Sequence, residues 1–313
     1  MNIFYLACSA VVPLIVYMTV GIIIRSLGIF PREYFRAFNR VNFRVLIALS
    51  LFFSIYNADL GESVKPGLFA FLFIVLVLAG IIAWFIVGFF VQDKMDRATI
   101  VQGIFRSNYV LYGSVVAGAL CDAGGQALAG AASLIVVTTI NAMGVILFEL
   151  CRGGKIRPLQ LLIRVIKNPL IAAALLAMIF GATGLRLPQL LYTPLSRLGS
   201  AATPIAMVTL GGILSFGQIR RDVRELTITV LGKLVILPVA GILIAILLGF
   251  RQDSLVVIMT AFGCPTAVAS AAMAQEMGGN GDLAGEIVAV TSVISLFTMF
   301  IFIFVLSSAG LIG

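Results

Sequence analysis

Residues 263–275 read G-C-P-T-A-V-A-S-A-A-M-A-Q, in the middle of an apolar block that extends from 255 to 277. Pro265 has no backbone N–H, and its ring collides with the preceding helical turn. Gly263 tolerates backbone angles that other residues avoid. These two residues predict a break inside a helix. In lipid, irregular backbone survives only where it lines a cavity in the protein, so we expect such a cavity beside this break.

A related stretch, S-N-Y-V-L-Y-G-S-V-V-A-G-A at 107–119, lies at an offset of 156 from the first. A single short match between apolar segments arises by chance, but several matches in the same order indicate two related halves. Coincidence of composition is the alternative. The other matched pairs are V-P-L-I at 12–15 with N-P-L-I at 168–171, Gly28 and Pro31 with Gly184 and Pro188, F-V-Q-D at 90–93 with F-R-Q-D at 250–253, and Gly125 with Gly281.

The composition is that of a membrane protein. Of 313 residues, 61% are hydrophobic and 11% are charged, which is too little charge to cover a soluble domain. About 20 apolar residues span a bilayer as a helix, and the sequence predicts an all-α integral membrane protein. Ten spans are expected, at 3–24, 41–56, 67–91, 98–120, 127–150, 168–184, 190–216, 227–250, 255–277 and 284–308.

Five spans in each half would give the second half the opposite orientation, so the matches predict two inverted five-helix repeats. The fourth and ninth spans are expected to be broken and to cross. The predicted divisions are a first repeat at 1–150, a cytoplasmic linker at 151–167 and a second repeat at 168–313. The linker is basic and amphipathic, and we expect it to attract anionic membrane lipid.

Lys and Arg concentrate in alternate loops, and such loops stay in the cytoplasm. Both termini are then expected outside the cytoplasm of a multi-pass protein in the cell membrane. The expected cytoplasmic residues are Arg25, Arg32, Arg36, Arg40, Lys94, Arg97, Arg152, Lys155, Arg157, Arg164, Lys167, Arg220, Arg221 and Arg224. The other side has Lys65, Arg186, Arg251 and Arg197, the last of these in the stretch 190–199, for which a linker helix is the alternative to a span.

The two breaks are the expected substrate site. If both helices break and cross, two helix N-termini point into the membrane centre, where their N–H groups and dipoles favour an anion. A proline kink with a buried polar pair is the structural alternative. The candidate residues here are Arg106, Ser107, Asn108, Tyr109, Pro265 and Thr266, with Ser50 and Asn141 as polar residues in neighbouring spans, for which helix–helix hydrogen bonding is the alternative.

Arg106 and Lys233 are the clearest basic residues inside predicted spans, and Arg44 lies near the start of the second span. Arg106 and Lys233 each cost about 2.5–3.5 kcal/mol at the membrane centre if unpaired, so partners are expected. Together they predict a positively charged cavity, although snorkelling or a structural ion pair would also explain Lys233. The candidate partners are Glu149, Glu276 and Glu286.

Several classes of function are disfavoured. The chain contains no histidine, and Cys8, Cys121, Cys151 and Cys264 form no C-x-x-C pair. Neither a metal site nor a redox motif is therefore indicated. No phosphate-binding loop is present. We expect no enzyme, no cofactor and no nucleic-acid partner, and the net charge of +8 is explained by the cytoplasmic loops.

Five segments carry a resemblance to a known family: F-R-S-N-Y-V-L-Y-G (105–113), K-N-P-L-I-A-A-A-L-L (167–176), L-G-S-A-A-T-P-I-A-M-V-T-L-G-G-I-L (198–214), G-K-L-V-I-L-P (232–238) and P-T-A-V-A-S-A-A-M-A-Q-E-M-G-G (265–279). Together they resemble the auxin efflux carrier family, the bacterial relatives of the plant PIN proteins, including malonate transporters. The resemblance implies ten spans in two inverted repeats, a scaffold part and a transport part, organic anion substrates and a homodimer. Asn108 and Pro265 match the family's crossover, and Ser50 and Asn141 lie near where relatives hold a carboxylate. Ser50 replaces a proline of many relatives, and Tyr109 stands opposite Pro265 in the repeat.

The predicted function is a secondary transporter that moves a small organic anion, a mono- or dicarboxylate, by alternating access. A sodium-coupled organic-anion symporter of the bile-acid type is one alternative. A receptor or channel without transport activity is the other, although no repeated filter motif is visible.

Overall fold

The computed structural model describes residues 3–57, 65–152, 158–214 and 216–312, and these ranges contain helices and a single isolated β-bridge. The helices are α1 (Ile3–Ser26), α2 (Arg32–Tyr56), α3 (Pro66–Gly88), α4 (Lys94–Phe105), α5 (Tyr109–Leu120), α6 (Ala123–Cys151), α7 (Pro158–Lys167), α8 (Pro169–Thr183), α9 (Gln189–Ser200), α10 (Ala202–Ile213), α11 (Phe216–Ile219), α12 (Val223–Leu247), α13 (Asp253–Gly263), α14 (Ala269–Met277) and α15 (Gly281–Ser308).

The two blocks with predicted breaks are both discontinuous. The block at 98–120 is divided into α4 and α5, and the block at 255–277 into α13 and α14. The block at 190–216 also consists of two helices, α9 and α10, which meet at Ala201. Pro204 lies in the first turn of α10. Proline is tolerated there because the backbone N–H groups of a first turn have no acceptor within the helix.

Five of the described helices, α2, α3, α6, α12 and α15, are long and apolar enough to cross a membrane. The shorter helices α5, α8 and α13 are apolar as well. Large apolar side chains such as Phe85 and Phe297 point outward, as contact with lipid requires. The count of ten spans and their inverted arrangement stay predictions. So does the linker, of which residues 153–157 lie outside the described ranges.

The junctions after α1 and α8 are alike. Gly28 and Gly184 follow these helices with φ angles of 70° and 69°, the left-handed conformation that glycine adopts most easily. In each case a proline, Pro31 or Pro188, then precedes the next helix. The matched sequence pairs therefore produce the same backbone turn in both halves.

The buried side chains form two apolar clusters. One is built mainly from α3, α4, α5, α6, α12, α13 and α15, and the other mainly from α1, α2, α6, α8, α10 and α14. In the second cluster α1 and α10 cross very closely. The approach is so close that a Cβ at Gly21 would collide with the backbone of Val208, and one at Gly211 with the backbone of Met18. Small residues permit such close approach in membrane proteins.

Candidate functional site

The two helix breaks pair with each other. Residues 106–108 separate α4 from α5, residues 264–268 separate α13 from α14, and an isolated antiparallel bridge joins Ser107 to Thr266. The N–H of Asn108 donates to the carbonyl of Pro265 at 2.9 Å, and the N–H of Ala267 donates to the carbonyl of Arg106 at 3.1 Å. Each break thus satisfies backbone groups of the other, as a region without water requires.

Thr266 fixes the second break to its neighbours through its hydroxyl and its backbone N–H. Its hydroxyl donates to the carbonyl of Gly103 in α4 at 2.7 Å, and its N–H donates to the hydroxyl of Thr291 in α15 at 3.2 Å. Pro265 contributes its carbonyl to the bridge between the breaks. Both residues therefore hold the backbone of the crossing, and neither belongs to the cavity lining described next.

A cavity of about 160 Å³ lies beside the crossing. Its wall comes from α2, both breaks and the first residues of α5 and α14, α6, and the start of α10. The polar lining residues are Ser50, Ser54, Arg106, Ser107, Asn108, Tyr109, Asn141 and Thr203, and the apolar ones are Ile47, Leu51, Val110, Leu111, Val137, Ile140, Ala202, Ala206, Ala267, Val268 and Ala269.

Arg106 is 1% exposed and is surrounded by neutral acceptors. Its guanidinium donates to the Asn141 Oδ1 at 2.6 Å, to the Gln102 Oε1 at 3.1 Å and to the sulfur of Met273 at 2.9 Å. No ion pair joins it to a carboxylate anywhere in the described part of the chain. The guanidinium is therefore positioned by hydrogen bonds while its charge stays uncompensated in the cavity wall.

The carboxylates that the sequence suggested as partners of Arg106 and Lys233 lie elsewhere, and this expectation was wrong. Glu149 pairs with Arg152 at 2.8 Å, and Glu276 pairs with arginines of α2. Glu286 lies beside the start of α12, as described below. Proximity to a span end made these residues candidates, but helix packing places other groups against them.

Three further polar atoms at the first break have no hydrogen-bond partner within the described ranges: the Ser107 Oγ, the Asn108 Nδ2 and the Arg106 Nε. Asn108 precedes α5 without capping it by its side chain. A buried polar atom without a partner costs about 1–3 kcal/mol. These atoms border the cavity, and a polar ligand there would satisfy them.

Tyr109 and Lys233 have positions that the sequence did not reveal. Tyr109 lines the cavity, but its hydroxyl donates to the carbonyl of Ala129 in α6 at 3.0 Å. Lys233 is fully buried in α12 and does not line the cavity, and its Nζ has no acceptor among the residues that the structure describes. The structure thus brings Arg106 to the cavity and not Lys233.

Sequence reasoning missed two polar residues of the cavity wall, Ser54 and Thr203. Ser54 follows Ser50 by four positions, and residues at this spacing share one face of a helix. This spacing was a usable signal. Thr203 belongs to the first turn of α10, and nothing in the sequence indicates that this turn faces the crossing.

Comparison with known proteins agrees with this architecture. The family model described as "Membrane transport protein" matches residues 6–160 and 155–303. This chain belongs to that family, the auxin efflux carrier-like membrane transporters. A protein of Methanothermobacter thermautotrophicus described as an "Uncharacterized transporter" is 28% identical over 302 residues, which are 95% of this chain and 97% of that one.

The protein is therefore a multi-pass membrane transporter and not an enzyme. The resemblance read from the sequence is confirmed at the level of the family.

A larger groove, of about 560 Å³, lies between α3, α4 and α6 of this transporter. Apart from Lys94 at its edge, it is lined by apolar and aromatic side chains such as Trp84, Phe85 and Phe105. Such a lining offers few polar groups to orient a charged substrate. The smaller cavity at the crossing, which combines a buried cation with polar donors, is the candidate site.

Proposed function

We propose that this transporter carries a small organic anion, a mono- or dicarboxylate, across the cell membrane by alternating access. The observation that supports this most is Arg106, a buried cation in the cavity wall with neutral hydrogen-bond partners. A buried charge is costly without a counter-charge. A carboxylate in the cavity would supply that counter-charge.

The helix ends around the cavity favour the same ligand. The first residues of α5 and α14 line it, and the N-terminus of a helix carries a partial positive charge. The volume of about 160 Å³ is close to that of cavities that hold one benzene-sized molecule. A carboxylate of a few carbon atoms fits this volume.

The support for alternating access is a set of ion pairs between α2 and the α14–α15 junction. Glu276 pairs with Arg40 at 2.9 Å and with Arg44 at 3.0 Å. Asp282 pairs with Arg32 at 3.1 Å and with Arg36 at 2.9 Å. We assign these contacts to the gate that closes the cytoplasmic side, because the arginines lie on the side where basic loops collect.

The finer topology is part of the same proposal. We propose ten spans in two inverted repeats at 1–150 and 168–313, a cytoplasmic linker at 151–167 that contacts anionic lipid, and both termini outside the cytoplasm. The like turns at Gly28 and Gly184 support the repeat. The proposed homodimer rests on the family resemblance.

The test uses purified transporter and a panel of ligands. Malonate, succinate and acetate are compared with the corresponding neutral amides, in sodium and in choline buffers. A ligand that binds only the folded protein raises its melting temperature. We expect stabilisation by at least one carboxylate and by none of the amides. Equal effects of acids and amides, or no effect of any acid, would refute a carboxylate carrier, and an effect seen in sodium alone would favour the sodium-coupled alternative.

A further inference from the structure

A second buried polar cluster lies away from the cavity, where α15 meets the start of α12. Its centre is Glu286, which is 1% exposed. Neither carboxylate oxygen of Glu286 has a hydrogen-bond donor within the ranges that the structure describes. The carboxyl group of Asp222, just before α12, lies close enough to that of Glu286 to share a hydrogen with it. Two ionised carboxylates have no hydrogen to share, so this contact is a hydrogen bond only if one of the two carries a proton.

The surrounding charges leave the pair with a net excess of acid. Three further acidic groups lie near the pair and disfavour its negative charge: Asp282 of α15, Asp96 of α4 and Glu225 of α12. Two basic groups, Arg32 of α2 and Arg221, favour that charge. Arg32 is partly engaged, since it pairs with Asp282. Of the other nearby groups, Arg36 also pairs with Asp282, Asp96 accepts from Asn280, and Arg25 donates to the carbonyls of Gly212 and Leu214.

Like charges in close contact disfavour each other's ionisation, most strongly where one of them, here Glu286, is shielded from water. Burial raises the pKa of Asp222, and the charge of Glu225 adds to this effect. A proton shared between the two carboxyl groups removes the repulsion and supplies the missing hydrogen. The missing hydrogen and the repulsion between the two carboxyl groups are therefore both accounted for by one bound proton.

We propose that Glu286 and Asp222 bind one proton between them, and that this pair couples the transporter to a proton gradient. The coupling rests on the proposed function as a carboxylate carrier, whereas the proton site itself does not.

Arg32 links the proton site at Glu286 to the ion pairs of the proposed gate. Its Nε has no acceptor among the described residues, and Arg32 borders the same tightly packed crevice as Glu286. Its Nη2 meanwhile holds Asp282 at 3.1 Å and Gln218 at 3.2 Å. If Glu286 loses the proton, its carboxylate competes with Asp282 for Arg32. Because Glu286 and Asp282 both belong to α15, deprotonation adds an acceptor for Arg32 on that helix. It is thus expected to strengthen the contact between α2 and α15, so that opening of the cytoplasmic side accompanies protonation.

The first experiment needs no substrate. Infrared spectra of the purified transporter are recorded as the pH is raised, and the carbonyl band of protonated carboxyl groups is followed. We expect a band at neutral pH that is lost at higher pH, and that is missing in both Glu286→Gln and Asp222→Asn. Glu33→Gln, at an exposed position in α2, is the matched control and should retain the band. A band that persists in both variants, or none in the native protein, would overturn the proton site.

The second experiment measures coupling in liposomes with radiolabelled malonate as the probe. Coupling between two sites typically changes an affinity by roughly 5- to 150-fold, so malonate uptake should change several-fold when a pH gradient is imposed. In Glu286→Gln and Asp222→Asn uptake should continue without this response. A response that is unchanged in both variants would overturn the coupling. If the infrared band behaves as expected but no carboxylate is carried, the proposed function fails while the proton site stands.

Discussion

The backbone N–H of Asn108 donates a 2.9 Å hydrogen bond to the carbonyl of Pro265, and this bond joins two helices that are both interrupted. The residues lie in different halves of the chain, yet each break supplies a backbone partner that the other lacks. An irregular backbone at membrane depth is stable only under this condition. The crossing therefore depends on both breaks, and a change in one is expected to affect the other.

Pro265→Ala tests this dependence. Alanine would restore an N–H and let α13 extend, since proline costs about 3 kcal/mol in a helix interior. Extension would withdraw the carbonyl that Asn108 uses. We expect a melting temperature close to the native one, together with loss of malonate uptake into liposomes. Native uptake by this variant would contradict a role of the break in transport.

Lys233→Met separates the two basic residues that the sequence grouped together. Lys233 is buried outside the cavity wall, and its ammonium lacks an acceptor in the described structure. Replacing a buried charge by an apolar residue of similar size is often neutral or stabilising. We expect a melting temperature at least as high as the native one. The affinity for malonate should change less than about twofold, whereas loss of a direct contact worth about 1.4 kcal/mol would change it tenfold. A large loss of affinity in folded Lys233→Met would place this residue in the substrate path.

Glu276→Gln tests the gate. The variant loses the ion pairs with Arg40 and Arg44, and exposed pairs contribute about 0.2–1 kcal/mol each. Two such pairs shift an equilibrium between closed and open states by roughly 2- to 30-fold. In a variant without native cysteines, labelling of Ser50→Cys by an impermeant thiol reagent from the cytoplasmic side should increase accordingly. Labelling at the native rate would argue against a gate at this contact.

The proposed orientation is tested by two single cysteines at exposed positions. Arg221→Cys, before α12, should react with an impermeant reagent only from the cytoplasmic side. Ala309→Cys, after α15, should react only from outside. Labelling of position 309 from the cytoplasm would contradict the ten-span topology with external termini.

The sequence predicted the breaks but not the contacts around them. A proline within an apolar block disrupts a helix wherever the helix packs, so Pro265 could be interpreted without the structure. The hydrogen bond from Arg106 to Asn141 joins α4 to α6, and it depends on how these helices are rotated and packed. The sequence also suggested Glu149, Glu276 and Glu286 as partners of the buried cations. This was wrong for the same reason, because helix packing places these carboxylates against other groups.

The most direct test of a carboxylate site at the crossing is the affinity of malonate for Arg106→Gln. Glutamine can still donate a hydrogen bond to Asn141 but carries no charge. A hydrogen bond to a charged group contributes about 1.5–3 kcal/mol, so we expect malonate to bind roughly 10- to 150-fold more weakly. The matched control is Arg251→Gln, whose arginine contacts backbone carbonyls outside the cavity, and it should bind malonate as the native protein does. Native affinity in folded Arg106→Gln would contradict the account.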